Sequence, residues 1–139
     1  MKSGTLSLLT GLILLMAGGV QAHHSHGPFY ILDEVVEITG VVKSFRLINP
    51  HPEIVIEVTG SDGELEEVMV YAQAYAGQMR EMGGWTDDSV KIGQTITVVG
   101  HPGRPSVSSV MGQTLTTPSG DVLTMRFFDL LKPEEPPSQ

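Results

Sequence analysis

Three of the five histidines fall within four residues, at His23, His24 and His26, and neutral imidazole is a strong ligand for divalent transition metals. The run stands directly behind a segment with the marks of a removable secretory signal. Cleavage after Ala22 would make His23 the first residue, so its free amine and its ring could chelate one ion while a second imidazole completes a nitrogen-rich equatorial set. Cu(II) favours such a set, and Zn(II) or Ni(II) are less favoured. The third mature residue is Ser25, so the square-planar peptide motif that needs histidine there is absent. A site must then use His23 with its amine, or His24 and His26 as spaced ligands. The bland alternative is a solvated, histidine-rich tail with incidental metal affinity.

His51 and His101 are the remaining candidates. Each precedes a proline, which biases it toward extended backbone and places it in a loop at a strand end. In Asn49-Pro50-His51-Pro52 the asparagine can bond its own turn while two prolines stiffen it, so the imidazole has little entropy left to lose. Taken alone, either histidine serves a turn as readily as a metal.

No catalytic constellation is expected. There is no cysteine nucleophile, no Gly-x-Ser-x-Gly elbow and no glycine-rich phosphate loop between a strand and a helix. Glu66-Glu67 would point to opposite faces of a strand and cannot form an acid/base dyad, and Asp87-Asp88 reads as surface charge. Met69, Met79, Met82, Met111 and Met125 fall mainly on apolar positions and read as core filler rather than copper ligands.

The export signal rests on Lys2, an apolar stretch over residues 8–16 and the small residues of Val20-Gln21-Ala22 at its end. That stretch is too short to span a bilayer, so no stable membrane insertion is expected after processing, and the expected location is the periplasm. Removing residues 1–22 of 139 leaves 117, enough for one domain with one core. The remaining 16 acidic residues oppose 7 Lys plus Arg, a formal charge of −9. Such a surface repels phosphate backbones and argues against nucleic-acid partners.

The elements that must position these histidines follow from periodicity. Residues 23–34 form an irregular histidine-rich leader, residues 35–131 the β-barrel domain and residues 132–139, rich in Pro and Glu, a disordered tail. From Val36 the apolar residues recur every second position; Gly40 marks a bend, and the apolar face then switches to Phe45 and Leu47. Ile54, Ile56 and Val58 give a second strand, the turn Gly60-Ser61-Asp62-Gly63 follows, and residues 65–71 return as a third. Over residues 72–82 the spacing of Ala72, Tyr75, Ala76, Met79 and Met82 predicts a helix of about three turns, stopped by Gly83-Gly84. Residues 94–99 make a fourth strand, His101-Pro102-Gly103-Arg104-Pro105 a loop, and residues 107–115 and 122–128 a terminal hairpin. Three strands, a short helix and two or three more strands are the order of a small OB-like Greek-key barrel, all-β with one helix; a two-sheet β-sandwich is the alternative. In such a barrel the first and fourth strands run antiparallel, which puts His51 and His101 near opposite ends, with the leader's exit nearer His101.

Several of these residues carry a family resemblance. Ala22-His23-His24-Ser25, Thr39-Gly40-Val41-Val42, Asn49-Pro50-His51, Gly84-Trp85, Asp88-Ser89-Val90-Lys91-Ile92-Gly93 and Gly100-His101-Pro102 resemble the exported bacterial proteins grouped as domain of unknown function 6152. The likeness covers nearly all of the mature chain and implies a small exported β-barrel-like protein, without an activity, substrate or partner. It marks His23-His24-Ser25 and Asn49-Pro50-His51. The family usually carries an aromatic residue after His-His-Ser and another just ahead of Asn-Pro-His, where this chain has His26 and Leu47-Ile48. His26 thus adds an imidazole.

Together these residues point to a periplasmic, non-enzymatic protein that binds a divalent transition metal, copper foremost, through His23, His24 and His26, with His51 or His101 joining. The competing class is a metal-independent module for a small molecule or protein partner. An oxidative copper enzyme comes third, because no second histidine pair accompanies the first.

Overall fold

The computed structural model describes residues 26–126. The expected signal segment, His23, His24 and the acidic tail lie outside the described residues.

Among the described residues six strands and one helix follow in the order β1 (Val36–Arg46), β2 (Glu53–Thr59), β3 (Leu65–Ala72), α1 (Ala76–Gly83), β4 (Thr95–Pro102), β5 (Ser109–Thr116) and β6 (Val122–Thr124). β1 pairs antiparallel with β4 over its first half and with β2 over its second. The β2–β3 and β4–β5 pairs are also antiparallel, and a parallel β3–β5 ladder closes the ring. The protein is therefore a closed, mixed five-stranded barrel with one short helix between its third and fourth strands, the expected OB-like form, and β6 extends it beyond β5.

The division of β1 between two partners explains its sequence. A bulge between Val42 and Ser44 inserts one residue and inverts the inward phase, so Val42 is buried ahead of it and Leu47 after it, with Phe45 half-buried. Gly40 sits where β1 crosses to its second partner, and a Cβ there would press on the Glu57 carbonyl at 2.7 Å.

The barrel is filled by Val42, Ile54, Ile56, Val70, Ile96, Val98 and Leu115, each at most 1 % exposed. Met79 of α1 and Trp85 join this cluster. Trp85 donates its indole N–H to the Thr124 carbonyl at 2.8 Å, which satisfies the polar atom of an otherwise buried ring. Met111 and Met125 are also buried, whereas Met69 and Met82 are exposed, so three of these five methionines are core filler.

Two boundaries differ from expectation. The helix begins at Ala76 rather than Ala72 and has 8 residues. Residues ahead of it stay extended because Ala72 and Ala74, both fully buried, pack inward two residues apart, a strand spacing. His101 and Pro102 are not in a loop; they are the last two residues of β4, opposite Met111 and Val110. Proline is tolerated at this strand terminus, and its carbonyl accepts a hydrogen bond from the Ile31 amide at 2.9 Å.

Candidate functional site

At one end of the barrel the β1–β2 loop, the end of β3, the approach to α1 and the leader converge. Asn49-Pro50-His51 forms the loop, with a cis bond between Asn49 and Pro50. The loop is tied to the helix from both sides. Asn49 Oδ1 accepts from the Gly77 amide at 3.4 Å, and Arg80 donates to the Leu47 carbonyl at 3.0 Å while pairing with Asp87 at 2.8 Å.

All three tyrosines of the chain surround His51 or its neighbour. The His51 ring lies 4.8 Å from that of Tyr71 and 5.2 Å from that of Tyr75, centroid to centroid. Tyr30 of the leader stacks on Tyr71 at 6.2 Å, and His26 tilts against the same ring at 5.6 Å. The Tyr71 hydroxyl is 3.1 Å from Nε2 of His51. Burial, reinforced by the neighbouring phenols of Tyr30 and Tyr75, pushes the Tyr71 hydroxyl above the ordinary phenol range. It therefore keeps its proton in neutral solution, and the sense of its bond with Nε2 follows the His51 tautomer, because a phenol both donates and accepts.

His26, Pro50, His51, Tyr71, Gln73 and Tyr75 enclose a pocket of about 230 Å³. The sequence reading missed Tyr71, Gln73 and Tyr75. Their signal is the alternation Tyr71-Ala72-Gln73-Ala74-Tyr75, in which two alanines face the core and the three larger residues line the pocket.

His101 occupies a neighbouring pocket of about 140 Å³ with Leu32, Gln73, Met111, Gly112, Gln113 and Arg126. Both of its ring nitrogens are engaged. Nδ1 lies 2.7 Å from the Glu34 carbonyl; a carbonyl only accepts, so Nδ1 carries the proton and donates. In the neutral ring Nε2 then accepts from the Gln113 amide at 2.8 Å.

The expectation that His51 and His101 lie at opposite ends does not hold. Gln73 lines both pockets. The two residues are indeed at opposite ends of β1, yet the ladders connect them the other way round: His101 faces Met111, Met111 faces Tyr71, Tyr71 faces Glu53 and Glu53 faces Arg46. Strand tilt staggers the register of a closed barrel, so a circuit that leaves β1 near Val36 returns at Arg46.

Of the predicted ligands, then, the structure brings His26 and His51 into one pocket and sets His101 in the next. Among the described residues no group of three or more His, Asp or Glu stands ready to hold a metal ion. Nor is any helix of the described residues long and apolar enough to cross a membrane. Residues 12–111 match the family described as a family of unknown function, DUF6152. No curated protein matches the chain.

Proposed function

The chain belongs to this family of unknown function, and from that premise we propose that it is a periplasmic, non-enzymatic protein that binds a divalent transition metal, copper foremost. Its ligands are the leader histidines His23, His24 and His26 together with His51 of the barrel. The observation that carries this reading is the convergence of His26 and His51 on the Tyr71 ring, one from the leader and one from the barrel. His23 is three residues from His26, and three residues reach up to about 10 Å, so a mature chain that begins at His23 could bring its ring and free amine to the same ion.

Pocket size favours an ion over an organic ligand. About 230 Å³ is smaller than the roughly 300–1,000 Å³ of ordinary small-molecule sites. His101 is the weaker candidate, because both of its ring nitrogens are engaged within the protein, by the Glu34 carbonyl and the Gln113 side chain.

Titration of processed protein with Cu(II) tests the reading. Tight binding is expected with a nitrogen-rich paramagnetic resonance spectrum, both weakened by an added N-terminal methionine that removes the histidine amine. Equal binding by tagged and processed chains would reduce the leader to a histidine-rich tail, and absence of binding would sink the proposal.

A further inference from the structure

Four consecutive residues hold the leader to the barrel. Beyond the bond from Nδ1 of His101 to the Glu34 carbonyl, the Pro102 carbonyl accepts from the Ile31 amide at 2.9 Å. Gly103 forms a β-bridge with Tyr30. Arg104 does most. Its amide donates to the Phe29 carbonyl at 2.8 Å and its Nε to the Gly27 carbonyl at 3.1 Å. Ser109 donates to the Tyr30 hydroxyl at 3.0 Å, which fixes the far end of the ring that stacks on Tyr71. The residue immediately before Gly27 is His26, whose carbonyl accepts from the amides of both Phe29 and Tyr30 at 3.0 Å. The turn carrying His26 is thus closed on itself and anchored to Arg104 on its outer side.

We propose that His101-Pro102-Gly103-Arg104 is a clasp, and that Arg104 is a positioning residue that presents His26 to the pocket of His51. This rests on the metal-binding reading and deepens it. Arg104 contributes no ligand atom; its guanidinium and amide restrict the leader before the ion arrives, so the ordering cost of that segment is met on folding rather than on binding. The clasp also gives His101 a role that explains why both of its nitrogens are engaged within the protein. By linkage, an ion shared by His26 and His51 tightens the clasp as much as the clasp tightens the ion.

The experiment is a double-mutant cycle of His26→Ala and Arg104→Ala, with Cu(II) alone as probe, in the processed protein. Arg104 is exposed, so the variant is expected to fold; both Arg104→Ala and Arg104→Lys keep the backbone bond to Phe29 and lose the Nε bond to Gly27, and the lysine form keeps the charge. Arg104→Ala should weaken Cu(II) binding by about two- to tenfold, the worth of ordering one such segment, and should remove one imidazole contribution from the paramagnetic resonance spectrum. With His26 already replaced, Arg104→Ala should change neither. An equal loss in both backgrounds, or an unchanged spectrum, would overturn the proposal, and Arg104→Lys should fall between parent and alanine. Hydrogen exchange without metal separates this from failure of the metal reading. Arg104→Ala should speed exchange of the Phe29 and Tyr30 amides, which close the turn that Arg104 Nε anchors at Gly27; unchanged exchange removes the clasp itself, whereas faster exchange in a protein that binds no copper leaves the clasp and removes its link to metal.

Discussion

The Tyr71 hydroxyl and Nε2 of His51 stand 3.1 Å apart across the junction of β3 and the β1–β2 loop. One side chain belongs to a strand of the barrel wall and the other to a loop stiffened by Pro50 and Pro52, so the imidazole is oriented from both sides before any ligand arrives. Where Nε2 carries the proton it donates to the Tyr71 oxygen, and such a donated bond orients a ligand imidazole and raises its basicity at metal sites.

His51→Ala should weaken Cu(II) binding by tenfold or more, equivalent to about 1.4 kcal/mol. His101→Ala should weaken it less, because that residue acts on the leader and not on the ion. Calorimetric titration of both variants beside the parent checks the ranking; a greater loss in His101→Ala would reverse the assignment.

The raised Tyr71 hydroxyl gives the metal-free protein an alkaline limit. A phenol whose folded pKa lies above its unfolded value contributes stability that is fully present below about pH 10 and is lost as pH rises through the folded value. Denaturant midpoints should therefore be insensitive to this group in neutral solution and decline in the alkaline range. Tyr71→Phe should flatten that decline while lowering neutral stability by about 0.5–1.5 kcal/mol for the lost hydrogen bond. An alkaline decline equal in both proteins would assign it elsewhere.

Trp85 is the one tryptophan and is 1 % exposed, so its emission should be blue-shifted in the native state and move to the red on unfolding. Trp85→Ala should cost about 3–5 kcal/mol. Trp85→Phe should cost less, losing the bond to Thr124 and part of the contact with Phe45. Red-shifted native emission would contradict the placement of this ring in the core.

Gly100 lies at the register irregularity of the β4–β5 pair, and a Cβ there would run into the Met111 carbonyl and the Gly112 backbone. Gly100→Ala should destabilise the barrel by about 1–3 kcal/mol through overpacking. Because His101 follows directly, the same change should loosen the leader. Thermal unfolding reads the first effect and exchange of the Ile31 amide the second.

How far the sequence reaches can be seen residue by residue. The switch of inward phase between Val42 and Phe45 was legible, and its cause is the bulge at that point. Strand order and the single helix between β3 and β4 were legible from alternation and turn residues. The helix start is ambiguous in sequence because Ala72, Tyr75 and Ala76 satisfy a helical spacing, while Ala72 and Ala74 equally satisfy a strand; only the core beneath them decides. The proline after His101 signals a break in sequence, whereas a strand terminus accommodates proline and β4 runs to Pro102. The meeting of His26 with His51 has no local signature at all. It depends on barrel stagger and on the clasp at residues 101–104, both properties of the closed structure.

The parallel β3–β5 ladder has a kinetic consequence. It joins strands separated by the whole of α1 and β4, so it is a non-local contact that can form only after much of the chain has collapsed, and topologies rich in such contacts fold slowly. Tyr71 and Met111 face each other in that ladder, and the pocket between leader and β1–β2 loop has no wall until the ladder is made. A chain still emerging or half-assembled therefore has histidines but no shared pocket. Acquisition of the assembled site would mark the final stage of folding, so the rate at which the His26–Tyr71–His51 arrangement appears should track closure of the barrel rather than formation of its first hairpin.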